Sequence, residues 1–304
     1  MSLAFLFPGQ GSQYIGMGKI LYNKFDFAKK TFNNANDILG YNIKEICFND
    51  SNNELNQTKF TQPAIFIYSY ILEYYLKDNG ISPNTVAGHS LGEITALVSA
   101  NIITYKDGLR LVNKRAELMH LIGKENPGKM AAILNVKAID INSIIDLVDG
   151  VIVIGNYNSN NQFVISGEKS SIDDFIKIAK EKNIKLIFPL NVSGAFHSPL
   201  MKKARINFKK FLNSIVFYDT NIPIYQNFDP KENKSSKKIK SNLINQIDNP
   251  VRWLETIQNM KNNKITNFIE VGPKNILTKL NKNIVPQIDS LNVEEMEIFK
   301  KLNV

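Results

Sequence analysis

The 304-residue chain contains one cysteine, one tryptophan and three histidines. A lone Cys47 cannot close an internal disulfide, and so few Cys and His residues leave no zinc-ligand spacing, which excludes disulfide-stapled and zinc-stabilised folds. A reducing, cytoplasmic setting fits that usage. No run of about 18 apolar residues occurs, although 43% of the chain is hydrophobic, so no membrane span is expected. The apolar segment Leu3 to Phe7 has no basic segment before it and no cleavage-type site after it, and is read as a strand and not as a signal peptide. Acidic residues are the scarcer sign: 28 Asp and Glu against 37 Lys and Arg give a net charge of +9. Such a surplus suits nucleic acid, an anionic membrane or an acidic protein partner. Basic and aromatic residues do not interleave as in a nucleic-acid module, so no nucleic acid is expected as a partner. Clusters at Lys202, Lys203, Arg205, Lys209 and Lys210, and again from Lys231 to Lys240, are read first as a solvated helix face and a polar loop. The chain is also rich in Asn, Lys and Ile, which a biased gene composition would produce, so charge alone decides nothing.

What is present is an alternation of strands and helices. Leu3 to Phe7, Thr85 to Ala87, Ile222 to Tyr225 and Asn267 to Val271 read as strands. Met17 to Leu39 contains a helix, and Pro63 to Lys77, Glu93 to Ala100, Tyr105 to Ile122, Leu254 to Met260 and Ile276 to Asn281 read as helices. This order predicts an α/β fold with a parallel sheet covered on both faces. Past Pro127-Gly128 the rhythm changes to strand Lys129 to Asn135, helix Ile139 to Val148, strands Val151 to Gly155 and Gln162 to Ser166, helix Ser171 to Lys182 and strand Ile184 to Leu190. That βαββαβ order is ferredoxin-like. The expected organisation is a catalytic core from residues 1–127 and 191–304, a small subdomain inserted at 128–190, and a cleft between them where ligands tend to bind. Lys231 to Lys240 is expected to be a flexible loop.

Gly88-His89-Ser90-Leu91-Gly92 lies between an apolar strand and an Ala-, Leu- and Val-rich helix. A G-x-S-x-G turn in that context presents a nucleophilic serine at a helix N-terminus, where unpaired N–H groups face a developing oxyanion. A serine hydroxyl needs a general base. His89 adjoins the nucleophile, and adjacent side chains diverge in a sharp turn, so it is read as structural; His120, near a helix end, is read as a surface or packing residue. His197, at the return from the insertion to the core, is the candidate base.

Phe7-Pro8-Gly9-Gln10-Gly11-Ser12-Gln13 is a glycine-rich turn after a strand. It fails both nucleotide templates, since Tyr14 stands where a dinucleotide fingerprint needs glycine and no Gly-Lys-Ser/Thr follows. An ordinary βα turn is one reading, and a turn that brings the Gln10 N–H against a ligand, opposite that of Leu91, is the other. Arg115 shares an apolar stripe at four-residue spacing with Leu111 and Met119, so it must either snorkel to water or find an anion. Facing the cleft, its planar guanidinium could hold a carboxylate through two bonds.

Together Phe7 to Gln13, Thr61-Gln62-Pro63-Ala64, Gly88 to Glu93, Lys114-Arg115, Ala195-Phe196-His197-Ser198 and Glu270-Val271-Gly272-Pro273 resemble, in order, the malonyl-CoA:acyl carrier protein transacylases, over about Leu3 to Lys282. The resemblance implies an α/β-hydrolase-like core with a ferredoxin-like insertion. It implies Ser90 as acylated nucleophile, His197 as base, Arg115 as clamp on the malonyl carboxylate, Gln62 and Phe196 as substrate contacts, and Gln10 with Leu91 as oxyanion donors. A main-chain carbonyl, here that of Gln246, would orient His197 in place of an acidic side chain. Phe196 would crowd a methyl branch on the malonyl group, a discrimination worth a few kcal/mol. The implied partners are malonyl-CoA as substrate and an acyl carrier protein whose 4'-phosphopantetheine thiol is the acceptor, with no cofactor, metal, nucleic acid or membrane, and a monomeric state. Carrier proteins of this kind are acidic, which would give the positive charge a role in encounter. Transfer is expected to fall as His197 protonates near an ordinary pKa of about 6.5. Primary fatty acid synthesis is the expected pathway, with a trans-acting acyltransferase of a modular polyketide synthase, a serine thioesterase or esterase, and a non-catalytic docking subunit as alternatives.

Overall fold

Leu3–Phe7 (β1) is apolar on both faces, and a strand of that kind is stable only when helices cover both sides. A computed structural model describes residues 2–301; Met1 and residues 302–304 of the expected core lie outside them. The other strands are β2 (Thr85–Gly88), β3 (Gly128–Leu134), β4 (Ile152–Ser159), β5 (Gln162–Glu168), β6 (Ile187–Pro189), β7 (Ile224–Tyr225), β8 (Glu232–Asn233), β9 (Asn267–Glu270) and β10 (Asp289–Asn292). Six form one sheet in the order β10-β9-β1-β2-β7-β8, parallel except for the β7–β8 pair. Alternation along β1 sends Phe5 and Phe7 to one core, shared with the helix Thr58–Asp78, and Ala4 and Leu6 to another, built around Trp253 and Phe268.

The second sheet is antiparallel in the order β4-β5-β3-β6. Counted along 128–189 this is second, third, first, fourth, the arrangement that a βαββαβ chain forms when both helices cover one face. Ile141, Ile144, Ile172 and Phe175 of the helices Ala138–Ile145 and Lys169–Glu181 pack on Ala131, Ile133, Ile154 and Ile165. The opposite face turns Met130 and Val164 into the core of the first sheet, beside Phe196. A main-chain bond from Tyr157 N–H to Val251 O, 2.9 Å, ties the second sheet to the segment before the helix Trp253–Asn262.

Several elements differ from the sequence expectation. Lys231 to Lys240 is not a flexible loop: β8 pairs with β7, and the helix Ser236–Asn245 begins at Ser236. Ile239 and Leu243, four apart and fully buried, anchor that helix, and Asp219 accepts from its first N–H at 2.7 Å; dense lysines masked the two apolar anchors. The helical segment Met17 to Leu39 is two helices, Lys19–Lys24 and Asp26–Leu39, broken at Phe25, whose backbone is extended. The helix expected from Pro63 begins at Thr58, with Pro63 inside it. Strand β6 is shorter than Ile184 to Leu190, because the Ile184 N–H closes the preceding helix on Ala179 O. β10 had no expected counterpart; its Asp-Ser-Leu-Asn sequence is too polar to read as a strand.

Candidate active site

The elbow is built by close contact. A Cβ on Gly92 would stand 1.9 Å from the Phe7 carbonyl oxygen, and one on Gly88 would stand 1.9 Å from the Gly92 carbonyl carbon. Only glycine lets β2, the elbow helix Gly92–Ser99 and the end of β1 approach so closely. Between them Ser90 is held at φ 52°, a left-handed conformation that costs a non-glycine residue about 1–2 kcal/mol. Asn227, just past β7, sustains it: its Oδ1 accepts from the Ser90 N–H at 2.7 Å and its Nδ2 donates to Gly88 O at 2.7 Å.

His197, at φ 57° and 3% exposed, approaches from the loop after β6. Its Nδ1 lies 2.9 Å from Gln246 O and 3.2 Å from Asn249 O. Carbonyls only accept, so Nδ1 carries the proton and Nε2 is left as an acceptor, 2.8 Å from Ser90 Oγ. Ser166 Oγ and Ser198 Oγ donate to Phe196 O at 2.6 Å and Ala195 O at 2.7 Å, which pins this turn. Burial first, and the Arg115 cation second, pull the His197 pKa down to about 3. The expectation of an ordinary histidine titration is therefore corrected: the ring stays neutral far below pH 6.5.

Arg115 is 1% exposed, so it neither snorkels nor meets an anion directly. Nη1 donates to Gln62 Oε1 at 2.8 Å, and Nη2 donates to Gln246 Oε1 at 2.9 Å and Ser90 Oγ at 3.0 Å, while Nε is buried without a partner among the described residues. All its acceptors are neutral oxygens. Burial lowers its pKa to about 10, which leaves it cationic at neutral pH. Beneath it, Glu93 accepts from Gln226 Nε2 (2.9 Å), the Asn227 N–H (2.8 Å) and Gln246 Nε2 (3.0 Å). Burial raises the Glu93 pKa, and those donors together with the Arg115 charge pull it back.

Gln10, Gln62, Ser90, Leu91, Arg115, Phe196 and His197 line one cavity of about 90 Å³, together with Met130, Asn156 and Leu190. Gln246 stands behind Arg115 and His197. The main-chain N–H groups of Gln10 and Leu91 find no internal acceptor among the described residues, and Gln10 is steadied by its Nε2 donating to Thr58 Oγ1 at 3.2 Å. A second cavity of about 210 Å³ shares Gln10, His89, Asn156 and Leu190 with the first. His89 itself bonds through Nε2 to Asn158 Oδ1 at 2.9 Å and packs edge-on to Trp253; His120 is half-buried, away from the cavity lining. Glu270 caps the helix Ile276–Ile284 by accepting from the Leu277 and Thr278 N–H groups, with its pKa pushed up to about 7 by burial.

Sequence reasoning did not single out Asn227, Gln226 or the side-chain role of Gln246. Glu93 offered a signal, being the one charge in an otherwise apolar elbow helix.

Fold and cleft define an α/β protein whose serine elbow faces an acceptor histidine nitrogen and a buried cation. The chain belongs to the acyl transferase domain family, whose profile matches residues 4–301. It is 37% identical over 301 residues, 98% of this chain and 95% of the relative, to the malonyl CoA-acyl carrier protein transacylase of Bacillus subtilis strain 168. The crystal structure of the Synechocystis malonyl-CoA:ACP transacylase matches with a TM-score of 0.91 at 35% identity, covering 99% of this chain and all of that one. A malonyl-transacylase in complex with a type II PKS acyl-carrier protein matches with a TM-score of 0.94 at 34% identity, covering 99% of each.

Proposed function

We propose that this protein transfers malonyl groups from malonyl-CoA to an acyl carrier protein through a malonyl-Ser90 ester. The observation that carries the reading is Arg115: a buried cation whose acceptors are all neutral, 3.0 Å from Ser90 Oγ, in a cavity large enough for a short acyl group. Leaving a cation so placed is costly unless an anion joins it, and a malonyl carboxylate is an anion two carbons from the reacting carbonyl.

In this reading Ser90 gives its proton to His197 Nε2 as Oγ attacks the thioester carbon, and the Gln10 and Leu91 N–H groups receive the oxyanion. Collapse breaks the C–S bond, and CoA leaves with the proton from His197. The phosphopantetheine thiol then passes its proton to Nε2 and attacks the ester, and Ser90 Oγ recovers a proton as malonyl carrier protein departs. Gln62 and Gln246 hold the guanidinium, and Phe196 bounds the acyl pocket. Fatty acid synthesis is the pathway proposed, in the cytoplasm; among the described residues no helix is long and apolar enough to cross a membrane. Carriers of polyketide synthesis are a second acceptor class, favoured by the carrier complex among the structural relatives.

Malonyl-CoA incubated with the protein and a holo carrier protein should yield malonyl carrier protein faster than free malonate. Hydrolysis outrunning transfer would assign the elbow to a thioesterase, and neither product would leave a docking subunit.

A further inference from the structure

We propose that Arg115 is also a latch on the nucleophile: in the unloaded site its guanidinium ties up Ser90 Oγ, and the carboxylate of an incoming acyl group releases Oγ by drawing Nη2 onto itself. This rests on the malonyl-transfer reading and goes beyond it, because the acyl group would then control the reactivity of Ser90 as well as its own binding.

The geometry carries the argument. The Ser90 hydroxyl hydrogen points to His197 Nε2, leaving two lone pairs on Oγ, one of which accepts from Arg115 Nη2 at 3.0 Å. A lone pair held by a cation is a poor nucleophile until that bond is broken, and charge-assisted bonds are about twice as strong as neutral ones. The guanidinium stays there only because its other acceptors, Gln62 Oε1 and Gln246 Oε1, are neutral as well. Its buried Nε has no partner among the described residues, and Nε shares with Nη2 the edge on which a guanidinium binds a carboxylate through two parallel bonds. A carboxylate outcompetes a hydroxyl for that edge.

The release also reaches the base. Arg115 from its helix and His89 from the elbow both disfavour a charged His197, while Glu93 lies behind Gln246. A carboxylate on Arg115 offsets the guanidinium charge. Gln246 joins the two events, since its Oε1 accepts from Arg115 and its main-chain oxygen accepts from His197 Nδ1. An acetyl group brings no carboxylate, so it meets a latched serine and a weak base.

The test supplies the missing carboxylate in a second molecule. In single-turnover acylation of the full-length protein by saturating acetyl-CoA, millimolar formate should speed acetyl-Ser90 formation roughly tenfold, and it should slow or leave unchanged acylation by malonyl-CoA. Arg115→Met should form acetyl-Ser90 several-fold faster than wild type without formate and should not respond to it. Formate that only inhibits or does nothing, together with an Arg115→Met acetylation rate equal to or below wild type, overturns the latch. The formate arm uses the unaltered protein, so a variant that misfolds does not spoil the test. If malonyl-CoA itself leaves no adduct on Ser90, the functional reading fails instead.

Discussion

The two sheets meet at one cleft and contribute differently to it. Gln10 follows β1, Ser90 follows β2, and Gln226 and Asn227 follow β7, so the polar atoms around the elbow come from loops at the carboxyl edge of parallel strands, where ligands of such sheets are bound. The antiparallel sheet lends Met130 and Asn156 as wall. At the parallel edge the left-handed Ser90, the buried Glu93 and the buried Arg115 are crowded together. Strain and buried charge persist there because each is held by several partners. In the antiparallel sheet, ladders interrupted only by two irregularities in the β4–β5 pair and an apolar core of Ile, Ala and Phe side chains hold the fold. The proposed chemistry thus sits where the first sheet is most constrained, and the second sheet gives shape.

That contrast can be broken by substitution. The largest effect belongs to Gly92→Ala, whose added carbon would meet the main chain of Phe7 and Pro8 at 1.9 to 2.9 Å; it should cost more than about 4 kcal/mol in denaturant unfolding, or leave no folded protein. Phe175→Ala, in the core of the second sheet, should cost about 3–5 kcal/mol. Its malonyl transfer should nevertheless stay within a few-fold of wild type wherever the variant is folded. A hundredfold loss of kcat in Phe175→Ala would show that the second sheet positions the reacting groups after all.

Arg115→Ala removes charge-assisted bonds worth about 1.5–3 kcal/mol, so malonyl transfer should drop ten- to a hundredfold while acetyl transfer does not fall in proportion. Parallel losses for both acyl groups would take Arg115 out of carboxylate recognition. A subtler readout is pH. Since the folded His197 pKa is lowered to about 3, the ring stays neutral on acidification, and kcat/KM should stay level from pH 7 to about 5, where an ordinary histidine of pKa about 6.5 acting as base would lose roughly 25-fold. The same sign applies to folding: between about pH 6.5 and 3 the unfolded chain binds a proton that the native histidine refuses, so stability declines as pH falls through that window. A kcat/KM that halves near pH 6.5 would contradict the burial and charge assigned to His197.

How much of this was legible in the sequence depends on how local each signal is. Ser90 lies in a five-residue pattern flanked by a strand and a helix, and Arg115 lies on an apolar stripe, so both could be singled out from neighbours in the chain. His197 followed from scarcity, there being three histidines to choose among. Asn227 was invisible because its partner is 137 residues away and reaches it only when β7 pairs with β2. The Gln246 side chain, with contacts to Ser90, Glu93 and Arg115, is likewise a product of packing. The helix Ser236–Asn245 was hidden by lysines that solvate one face of it. The protonation behaviour of His197 was misjudged because sequence carries neither burial nor the distance to Arg115.

The central claim is an acyl group carried on Ser90. Intact-mass measurement after exposure to malonyl-CoA should find one malonyl group on the wild-type chain, lost on adding a holo carrier protein, and none on Ser90→Ala. An unmodified wild-type chain, or an equal adduct on Ser90→Ala, would contradict the account.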